Sequence, residues 1–369
     1  MSVHPYLTPL ALSLPDTVPF VGPEAIERRT GRPILARIGA NESGFGPSPR
    51  VVAAMAGAAP LAWRYGDPEI HDLRAALAAH LGLPPANVVV GEGIDGLHGL
   101  IARLVIGPGD VSVTSLGAYP TFNYHVAGFG GRVHFVPYAG NHEDLPRLAE
   151  AARTQAAKVV YLSNPDNPMG TWWSAAEIDD FCAAIPETTL VLLDEAYCET
   201  APSGTLPPLL PVRPNVIRTR TFSKAYGLAG MRVGYAVGEA VLVKAFDKVR
   251  NHFGVTRMGQ VAALAAVADQ SWLEAVVAKV AAARARIARI AAENQLAAIP
   301  SATNFVAVDC GRDGAYAMAV LKALEARGVF VRKPMAPGLD RCIRISTAPD
   351  PELDVLAEEL PHALREAAA

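Results

Sequence analysis

The chain has 369 residues, of which 51% are hydrophobic and 19% are charged, so it can bury a large core and is not expected to be disordered. Its net charge of −3 gives no electrostatic case for binding nucleic acid or an anionic membrane. Four widely spaced cysteines without a C-x-x-C pair argue against a metal site or a disulfide framework and favour the reducing cytoplasm.

No lysine or arginine precedes Arg28, and no uncharged apolar run approaches the length of a membrane span. A secretory signal and a transmembrane helix are therefore not expected. Residues 1–35 are rich in proline and lack periodicity. We interpret them as an N-terminal arm that packs on the smaller domain or on a partner subunit.

The next two hundred residues or so alternate apolar β-branched runs with helical patterns. The patterns predict helices over 67–81, 97–105 and 175–184, and strands over 87–90, 110–115, 132–137, 158–163, 189–193 and 216–221. This alternation is typical of an α/β domain with a doubly wound, largely parallel sheet.

After about residue 255 the pattern changes. An alanine-rich helix is predicted over 261–296, of a kind that commonly bridges two domains. Two strand-like runs follow, 304–309 and 342–346, with a helix over 315–327 between them. We therefore predict an arm at 1–35, a large domain at 36–255 and a small α+β domain at 256–369.

A glycine-rich turn follows the predicted strand at 87–90. The segment Gly91-Glu-Gly-Ile-Asp-Gly96 matches G-x-G-x-x-G, the pattern of a dinucleotide site. About ninety residues precede it, and Asp110 is the only candidate for the ribose-binding acid that such a site needs. We prefer a single phosphate held by backbone N–H groups at a helix N-terminus, and a purely structural turn stays open.

Asn164-Pro-Asp-Asn167 follows the predicted strand at 158–163. Its prolines restrict the turn, and Asn167 would present its amide at the carboxyl end of a strand, where ligands bind in such sheets. The alternative is an ordinary Asn-Pro turn.

Asp194-Glu-Ala-Tyr197 ends the apolar strand predicted at 189–193. An aspartate at the end of a buried strand costs desolvation free energy unless a cation or a donor partners it, and a protonated pyridine nitrogen is such a partner. Asp194 could instead be a helix N-cap.

The segment Thr221-Phe-Ser-Lys-Ala-Tyr-Gly-Leu-Ala-Gly-Met-Arg232 follows the predicted strand at 216–221. Its hydroxyl groups and Arg232 could hold a phosphate, with the Lys224 amine beside it. That combination suits a phosphate-bearing aldehyde cofactor captured as a Schiff base. A Ser-Lys pair alone is weak evidence, since most lysines are solvated surface charges.

Arg344 lies inside the short apolar strand predicted at 342–346. A guanidinium there needs an anionic partner, and its planar fork matches a carboxylate. The partner could be a substrate or an internal Asp or Glu.

Together these segments resemble one family, the fold-type I pyridoxal-phosphate aminotransferases, and within it the histidinol-phosphate aminotransferase-like branch. The resemblance covers nearly the whole chain, from Ala40-Asn-Glu-Ser43 to Cys342-Ile-Arg-Ile-Ser346. It implies a large domain with a seven-stranded sheet, a smaller α+β domain, and a homodimer with shared active sites. The residues whose order and spacing are specific to these enzymes are Asn167, Asp194, Tyr197, Lys224 and Arg232.

The resemblance also implies how each residue contacts the cofactor, pyridoxal 5′-phosphate. Lys224 would bind it covalently and shuttle a proton, and Asp194 would pair with the pyridinium nitrogen. Asn167 and Tyr197 would hydrogen-bond the ring oxygen, while Phe122 would stack on the ring. The cofactor phosphate would be held by Gly93, Ile94, Asp95, Thr221, Ser223 and Arg232, with Tyr65 of the other subunit.

On the substrate side, Arg344 resembles the arginine that binds the α-carboxylate or another anionic group, and Arg332 would be a second anion contact. Asn41 stands where the family has an asparagine, and Phe20 where the branch often has a substrate-contacting tyrosine. The implied reaction is a ping-pong transfer of an amino group to a 2-oxo acid such as 2-oxoglutarate. The donor would be an amino acid or an amino alcohol phosphate, of the histidinol-phosphate or aromatic type.

The chain also departs from the branch. Glu92 and Ile94 replace the usual asparagine and serine, Phe20 lacks a hydroxyl, and Met169 stands where threonine is common. These changes preserve the backbone phosphate donors and the lysine chemistry but leave the exact amino donor open.

Three alternatives stay open at this stage. They are a pyridoxal-dependent decarboxylase on the same scaffold, an NAD-dependent enzyme that uses Gly91 to Gly96, and a non-catalytic regulatory module. The last would normally carry a fused DNA-binding segment, which is not visible here.

Overall fold

The computed structural model describes residues 5–16 and 20–369. Its helices, in chain order, are α1 (Pro9–Ser13), α2 (Pro23–Thr30), α3 (Pro49–Ala58), α4 (His71–Leu81), α5 (Gly93–Val105), α6 (Thr121–Gly128), α7 (Leu145–Thr154), α8 (Ala175–Ala184), α9 (Ala240–Ala245), α10 (Arg257–Val267), α11 (Gln270–Glu293), α12 (Gly314–Ala326) and α13 (Asp350–Ala368). Its strands are β1 (Ala36–Arg37), β2 (Val88–Gly91), β3 (Val111–Ser115), β4 (Arg132–Val136), β5 (Val159–Ser163), β6 (Leu190–Asp194), β7 (Val216–Thr221), β8 (Gly234–Val237), β9 (Ala297–Ala298), β10 (Phe305–Asp309), β11 (Val329–Phe330) and β12 (Cys342–Ser346).

The main sheet has seven strands in the order β2-β8-β7-β6-β5-β3-β4. Strand β8 alone runs in the direction opposite to that of the other six strands. The predicted α/β class with a mostly parallel seven-stranded sheet is confirmed. Sequence reasoning missed β8, and α5 begins at Gly93, four residues before the predicted helix start at 97.

Alternate side chains of each strand point to opposite faces of this sheet, and helices cover both faces. On one face, Leu162 of β5 and Val191 of β6 belong to a cluster with Leu148 of α7 and Phe181 of α8. On the other face, Tyr161 and Leu192 pack with residues of α5 and α6, including Leu97 and Phe122. The register sets Ser163 beside Asp194, so the carboxyl ends of β5 and β6 lie side by side.

The helix predicted over 261–296 is two helices. Helices α10 and α11 meet at a bend of 83°. Asp269 lies at the break, where its carboxylate accepts hydrogen bonds from Ser48 and from Ser271. Within residues 5–16 and 20–369 no single helix is long and apolar enough to span a membrane. Only α10 and α11 taken together reach that length and apolar composition, and the bend separates them.

The second sheet is antiparallel, in the order β12-β10-β9, and β1 pairs in parallel with β11. Its core includes side chains of α11, α12 and α13, such as Ile287, Val320 and Leu356. Helix α10 instead packs in the same cluster as α4, through Ala262 and Ala263. The domain limits at 36–255 and 256–369 stay a prediction.

The arm predicted at 1–35 includes residues 1–4 and 17–19, which lie outside the described residues. Helix α1 has no buried residue, whereas α2 buries Pro23 and Ile26. Arg29 pairs with Glu325, and Arg32 Nη1 donates to the Ala326 carbonyl over 3.2 Å. The contacts of the later part of the arm therefore include α12.

Candidate active site

The carboxyl ends of β5, β6 and β7 border a cavity of about 400 Å³. A second cavity of about 430 Å³ lies against residues 207–214 and contains none of the predicted catalytic side chains. Because ligands bind at the carboxyl ends of strands in such sheets, the first cavity is the candidate active site. Its lining residues are Ala40, Glu42, Ile94, Asp95, Tyr119, Ser163, Asn167, Asp194, Ala196, Tyr197, Thr221, Ser223, Lys224, Ala229 and Arg232.

Lys224 follows β7 by three residues and presents its amine in this cavity. Its Nζ donates to the Asn41 carbonyl over 3.3 Å and lies 5.7 Å from the centre of the Tyr197 ring. Burial, followed by the positive charge of Arg344, lowers the pKa of Lys224 to about 8. The amine is therefore largely neutral at mildly alkaline pH and can act as a nucleophile or a base.

Asp194 is the last residue of β6 and is only 3% exposed. Its Oδ2 accepts from the Tyr161 hydroxyl over 2.9 Å, and its Oδ1 accepts from the Ala196 N–H over 3.0 Å. Nε2 of the buried His98 lies 3.8 Å from Oδ2. Burial lowers the pKa of His98 to about 3, so that imidazole is neutral and adds no charge.

Burial raises the pKa of Asp194 to about 7, against the effect of its hydrogen bonds to Tyr161 and Ala196. A carboxylate this buried gains from a cationic partner on its cavity side. The side chain is thus suited to pair with a protonated ring nitrogen.

Asn167 and Tyr197 link the carboxyl edge of the main sheet to the second sheet. The Tyr197 hydroxyl accepts from Nδ2 of Asn41 over 3.0 Å and from Nδ2 of Asn167 over 3.3 Å. Asn167 Oδ1 accepts from Nη1 of Arg344 on β12. Asn41 has a positive φ of 56° and donates its N–H to the Ser346 hydroxyl over 2.9 Å. The Tyr197 hydroxyl and its two asparagine partners therefore connect the carboxyl ends of β5 and β6 to β12.

The turn before α5 faces Arg232. Gly93 has a φ of +74°, and a Cβ added there would lie 2.6 Å from Nη2 of Arg232. Nη1 of Arg232 donates to Ser223 Oγ over 3.3 Å, and Nη2 lies 3.7 Å from Asp95 Oδ2. Thr221 Oγ1 donates to Ser223 Oγ over 3.0 Å. One guanidinium, two hydroxyl groups and a helix N-terminus thus converge, as a phosphate group requires.

Arg344 has the chemistry of an anion-binding residue that keeps free capacity. Its guanidinium donates to Asn167 and to the Gly39 carbonyl and lies 5.1 Å from the centre of the Phe305 ring. Nε has no hydrogen-bond partner, and the salt bridges of the described residues do not include Arg344. The internal Asp or Glu partner that the sequence left open is therefore not observed in the described part of the chain.

Arg332 and Phe20 are two of the predicted substrate contacts. Arg332 pairs with Arg344 as a backbone bridge, and its Nη2 donates to the Val21 carbonyl over 2.7 Å. Phe20 is 44% exposed and stacks on Tyr119 with ring centres 6.2 Å apart. Neither side chain is among those that line the cavity.

Two predicted cofactor contacts also lie away from the cavity. Phe122 is fully buried on α6, with its ring centre 5.7 Å from that of Tyr161 beneath the site. Tyr119, three residues before Phe122 and four residues after the end of β3, lines the cavity instead, as does Tyr197. Tyr65 is 77% exposed and packs on Phe253 at 4.8 Å between ring centres.

Sequence reasoning missed Tyr119, Tyr161 and His98. Tyr119 had a usable signal, because it lies nearer than Phe122 to the carboxyl end of the strand predicted at 110–115, where ligands bind in such sheets. Tyr161 also had a signal, because a tyrosine inside a buried strand needs a hydrogen-bond partner for its hydroxyl group. His98 had no comparable signal.

A mostly parallel seven-stranded sheet with a lysine, an aspartate and a phosphate-binding turn at its carboxyl edge defines an aminotransferase of fold type I. Residues 34–360 match the family model described as aminotransferase class I and II. The chain belongs to the class I and II aminotransferase family.

Individual relatives agree over nearly the full length. The chain is 34% identical to a histidinol-phosphate aminotransferase of Roseiflexus castenholzii, over 97% of this chain and 98% of that protein. It is 36% identical to one of Anaeromyxobacter sp., over 93% and 94% of the two chains. The crystal structure of histidinol-phosphate aminotransferase from Sinorhizobium meliloti in complex with pyridoxal-5′-phosphate is 58% identical and superposes with a TM-score of 0.96, covering 99% of each chain.

Proposed function

We propose that this chain is a pyridoxal-phosphate-dependent aminotransferase that takes an amino group from a donor of the histidinol-phosphate or aromatic type and passes it to a 2-oxo acid such as 2-oxoglutarate. The observation that carries the proposal is the pair formed by Lys224 and Asp194 in one cavity. One is an amine that is neutral at mildly alkaline pH, and the other is a buried carboxylate with room for a cationic partner.

The residues present fit the cofactor. Arg232, Ser223, Thr221 and the N-terminus of α5 form a site for its phosphate, and Asp194 lies deeper in the same cavity. When bound, pyridoxal phosphate supplies an aldehyde and an electron-accepting ring. Lys224 would hold it covalently, Asp194 would pair with its ring nitrogen, and Tyr119 is placed to cover the ring.

The remaining steps belong to side chains of this chain. The Lys224 amine, once freed, accepts a proton from the donor's α-carbon at Nζ and returns it to the cofactor side. Asn167 and Tyr197 line the cavity and would hydrogen-bond the ring oxygen of the cofactor. Arg344 binds the carboxylate or phosphate of the substrate and so orients it beside Lys224.

We further propose a homodimer in the cytoplasm. All four cysteines are free, as a reducing compartment would keep them. Tyr65 is exposed and lies outside its own cavity, as expected of a side chain that reaches the cofactor phosphate of the partner.

The experiment is an absorption titration of the purified protein loaded with pyridoxal phosphate. Histidinol phosphate, glutamate and aromatic amino acids are added in turn, with Lys224→Ala as the control. A visible band that one donor bleaches, and that 2-oxoglutarate restores, supports the proposal and identifies the donor. Lys224→Ala should form no covalent band and show no multiple turnover. Release of carbon dioxide without restoration would point to decarboxylation, and a protein that stays colourless would overturn the proposal.

A further inference from the structure

Two carboxyl groups are buried together behind the turn that carries Asn167. Asp166 lies in the turn itself and is 2% exposed, and Glu143, just before α7, is 1% exposed. The two carboxyl groups are near enough to form a hydrogen bond when one of them is protonated. Neither side chain lines the active-site cavity, and neither takes part in the proposed mechanism.

Each carboxyl group has only neutral donors as its other partners. Glu143 accepts from the Ser115 hydroxyl over 2.6 Å and from the Ser163 N–H over 3.1 Å. Asp166 accepts from the Tyr138 hydroxyl over 2.9 Å and from the Met169 N–H over 3.0 Å. The salt bridges of residues 5–16 and 20–369 include neither acid, so no cation compensates the pair at close range.

Two carboxylates in contact in a dry interior cannot both stay ionised, because their repulsion adds to the cost of burial. One proton between them removes one charge and supplies the hydrogen bond that joins them. Burial, followed by the charge of Asp166, raises the pKa of Glu143 well above its usual range. Burial also raises the pKa of Asp166, against the effect of its hydrogen bonds from Met169 and Tyr138.

The paired acids hold the turn from inside. The Asp166 backbone N–H donates to the Thr171 carbonyl over 2.8 Å, and the Gly170 N–H donates to the Asp166 carbonyl over 3.1 Å. The next residue, Asn167, spans the gap between Tyr197 and Arg344. Any movement of Asp166 is therefore transmitted to the Asn167 amide.

We propose that Glu143 and Asp166 share one proton and act as positioning residues for Asn167. The protonated pair keeps the turn in the shape that places the Asn167 amide between Tyr197 and Arg344. Loss of the proton at alkaline pH leaves two negative charges in the interior and loosens that turn. The positioning role rests on the proposed function, whereas the shared proton does not.

Other titratable groups face the pair from each neighbouring element. They are Tyr138 after β4, Tyr161 on β5, Tyr197 after β6 and Arg344 on β12. Burial raises the pKa of all three tyrosines, so they stay neutral over the pH range of interest. Arg344 stays charged and favours the ionised form of Asp166 without forming an ion pair with it.

The shared proton is tested by urea unfolding of the cofactor-free full chain from pH 5 to 8. Glu143→Gln keeps an N–H donor toward Asp166 and cannot ionise, and Glu150→Gln on the exposed side of α7 is the matched control. The folded pair keeps a proton that the unfolded acids release near pH 4, so wild-type stability is lost as the pH rises through the folded pKa.

The folding equilibrium constant of the wild type should therefore fall relative to that of Glu143→Gln, by up to about tenfold per pH unit between pH 5 and 7. Glu150→Gln should follow the wild type. Parallel profiles for the wild type and Glu143→Gln would overturn the shared proton.

The positioning role is tested with pyridoxal phosphate bound. Glu143→Ala removes the donor and leaves Asp166 unpaired, so the dissociation constant of the cofactor should rise about tenfold. The midpoint of the pH titration of the visible band should move as it does in Asn167→Ala, and Glu143→Gln should restore wild-type values. If Glu143→Ala does not fold, Asp166→Asn serves instead, because Tyr138 and Met169 must then compete for one acceptor oxygen.

Reduced stability with an unchanged affinity and midpoint would overturn the positioning role. Protein that stays colourless would overturn both the proposed function and the positioning role, while the unfolding result would stand by itself.

Discussion

At the scale of single residues, opposing effects act on the pKa of the Asp194 carboxyl group. Burial favours the protonated form, and the donors Tyr161 and Ala196 favour the ionised form. The Tyr161 hydroxyl is itself buried and has Asp194 as its hydrogen-bond acceptor. After burial, the Tyr161 hydrogen bond therefore has the largest effect on the fraction of Asp194 that is ionised near neutral pH.

Tyr161→Phe removes this donor without leaving a cavity. A hydrogen bond to a charged group contributes about 1.5–3 kcal/mol, which corresponds to about one or two pH units. We expect the pKa of Asp194 in the cofactor-free protein to rise further above 7. Cofactor binding that needs the ionised carboxylate should then begin at higher pH, by the same one or two units, in an equilibrium titration of the visible band.

The matched control is Tyr235→Phe, which removes the hydroxyl group of another buried tyrosine, on β8. Its binding profile should coincide with that of the wild type. If Tyr161→Phe also binds the cofactor with an unshifted pH profile, Asp194 does not depend on this hydrogen bond.

The five residues on which the family resemblance depended most all line the cavity. The sequence could place them because a short motif at the end of a predicted strand points to the carboxyl edge of the sheet. Their individual contacts with a cofactor stay predictions. The aromatic residue predicted to stack on the cofactor ring was a different case. Tyr119 and Phe122 lie only three residues apart, and the packing of the folded chain places Tyr119 in the cavity and Phe122 in the core.

At the scale of elements, the N-terminus of α5 lies directly against β8. A Cβ added to Gly234 would lie 3.0 Å from the carbonyl carbon of Gly93 and from the backbone nitrogen of Ile94. It would also lie 2.9 Å from the Arg220 carbonyl oxygen. These neighbours are backbone atoms, so relief requires movement of the helix start that is proposed to hold the cofactor phosphate.

Gly234→Ala should therefore weaken cofactor binding. Overpacking of this kind costs about 1–3 kcal/mol, and a displaced phosphate site should raise the dissociation constant of pyridoxal phosphate by about tenfold or more. Fluorescence titration of the cofactor-free protein measures the change. Gly230→Ala is the control, because a Cβ at Gly230 meets no atom within 4 Å. Equal affinities in the two variants would contradict the proposed place of the phosphate.

At the scale of the whole molecule, several large aromatic side chains are exposed on the surface. Trp63 is 76% exposed, Tyr65 77% and Phe253 50%. Exposed aromatic groups of this size are typical of protein interfaces. They support the proposed dimer in which Tyr65 contacts the cofactor phosphate of the partner.

Mixing Tyr65→Ala chains with Lys224→Ala chains tests the shared site. A hybrid of Tyr65→Ala and Lys224→Ala chains has one site in which Tyr65 and Lys224 are both intact. Unfolding and refolding an equimolar mixture should restore activity to about one quarter of the wild-type value, because half of the dimers are hybrids with one working site each. Each variant refolded alone is the control. Recovery no greater than the sum of the two controls would show that Tyr65 acts within its own subunit or not at all.

The sequence by itself determined the fold class, the positions along the chain of six of the seven main strands and the motifs at their carboxyl ends, because period-two and helical patterns and turn residues are local properties. It did not determine the break between α10 and α11, where Asp269 bonds to Ser48 on a distant segment. Nor did it reveal the hydrogen bond between Tyr161 and Asp194 or the contact between Glu143 and Asp166. Those contacts depend on which side chains the folded chain brings together and buries. The pKa of a buried group depends on burial and on its neighbours in space, which local sequence patterns do not reveal.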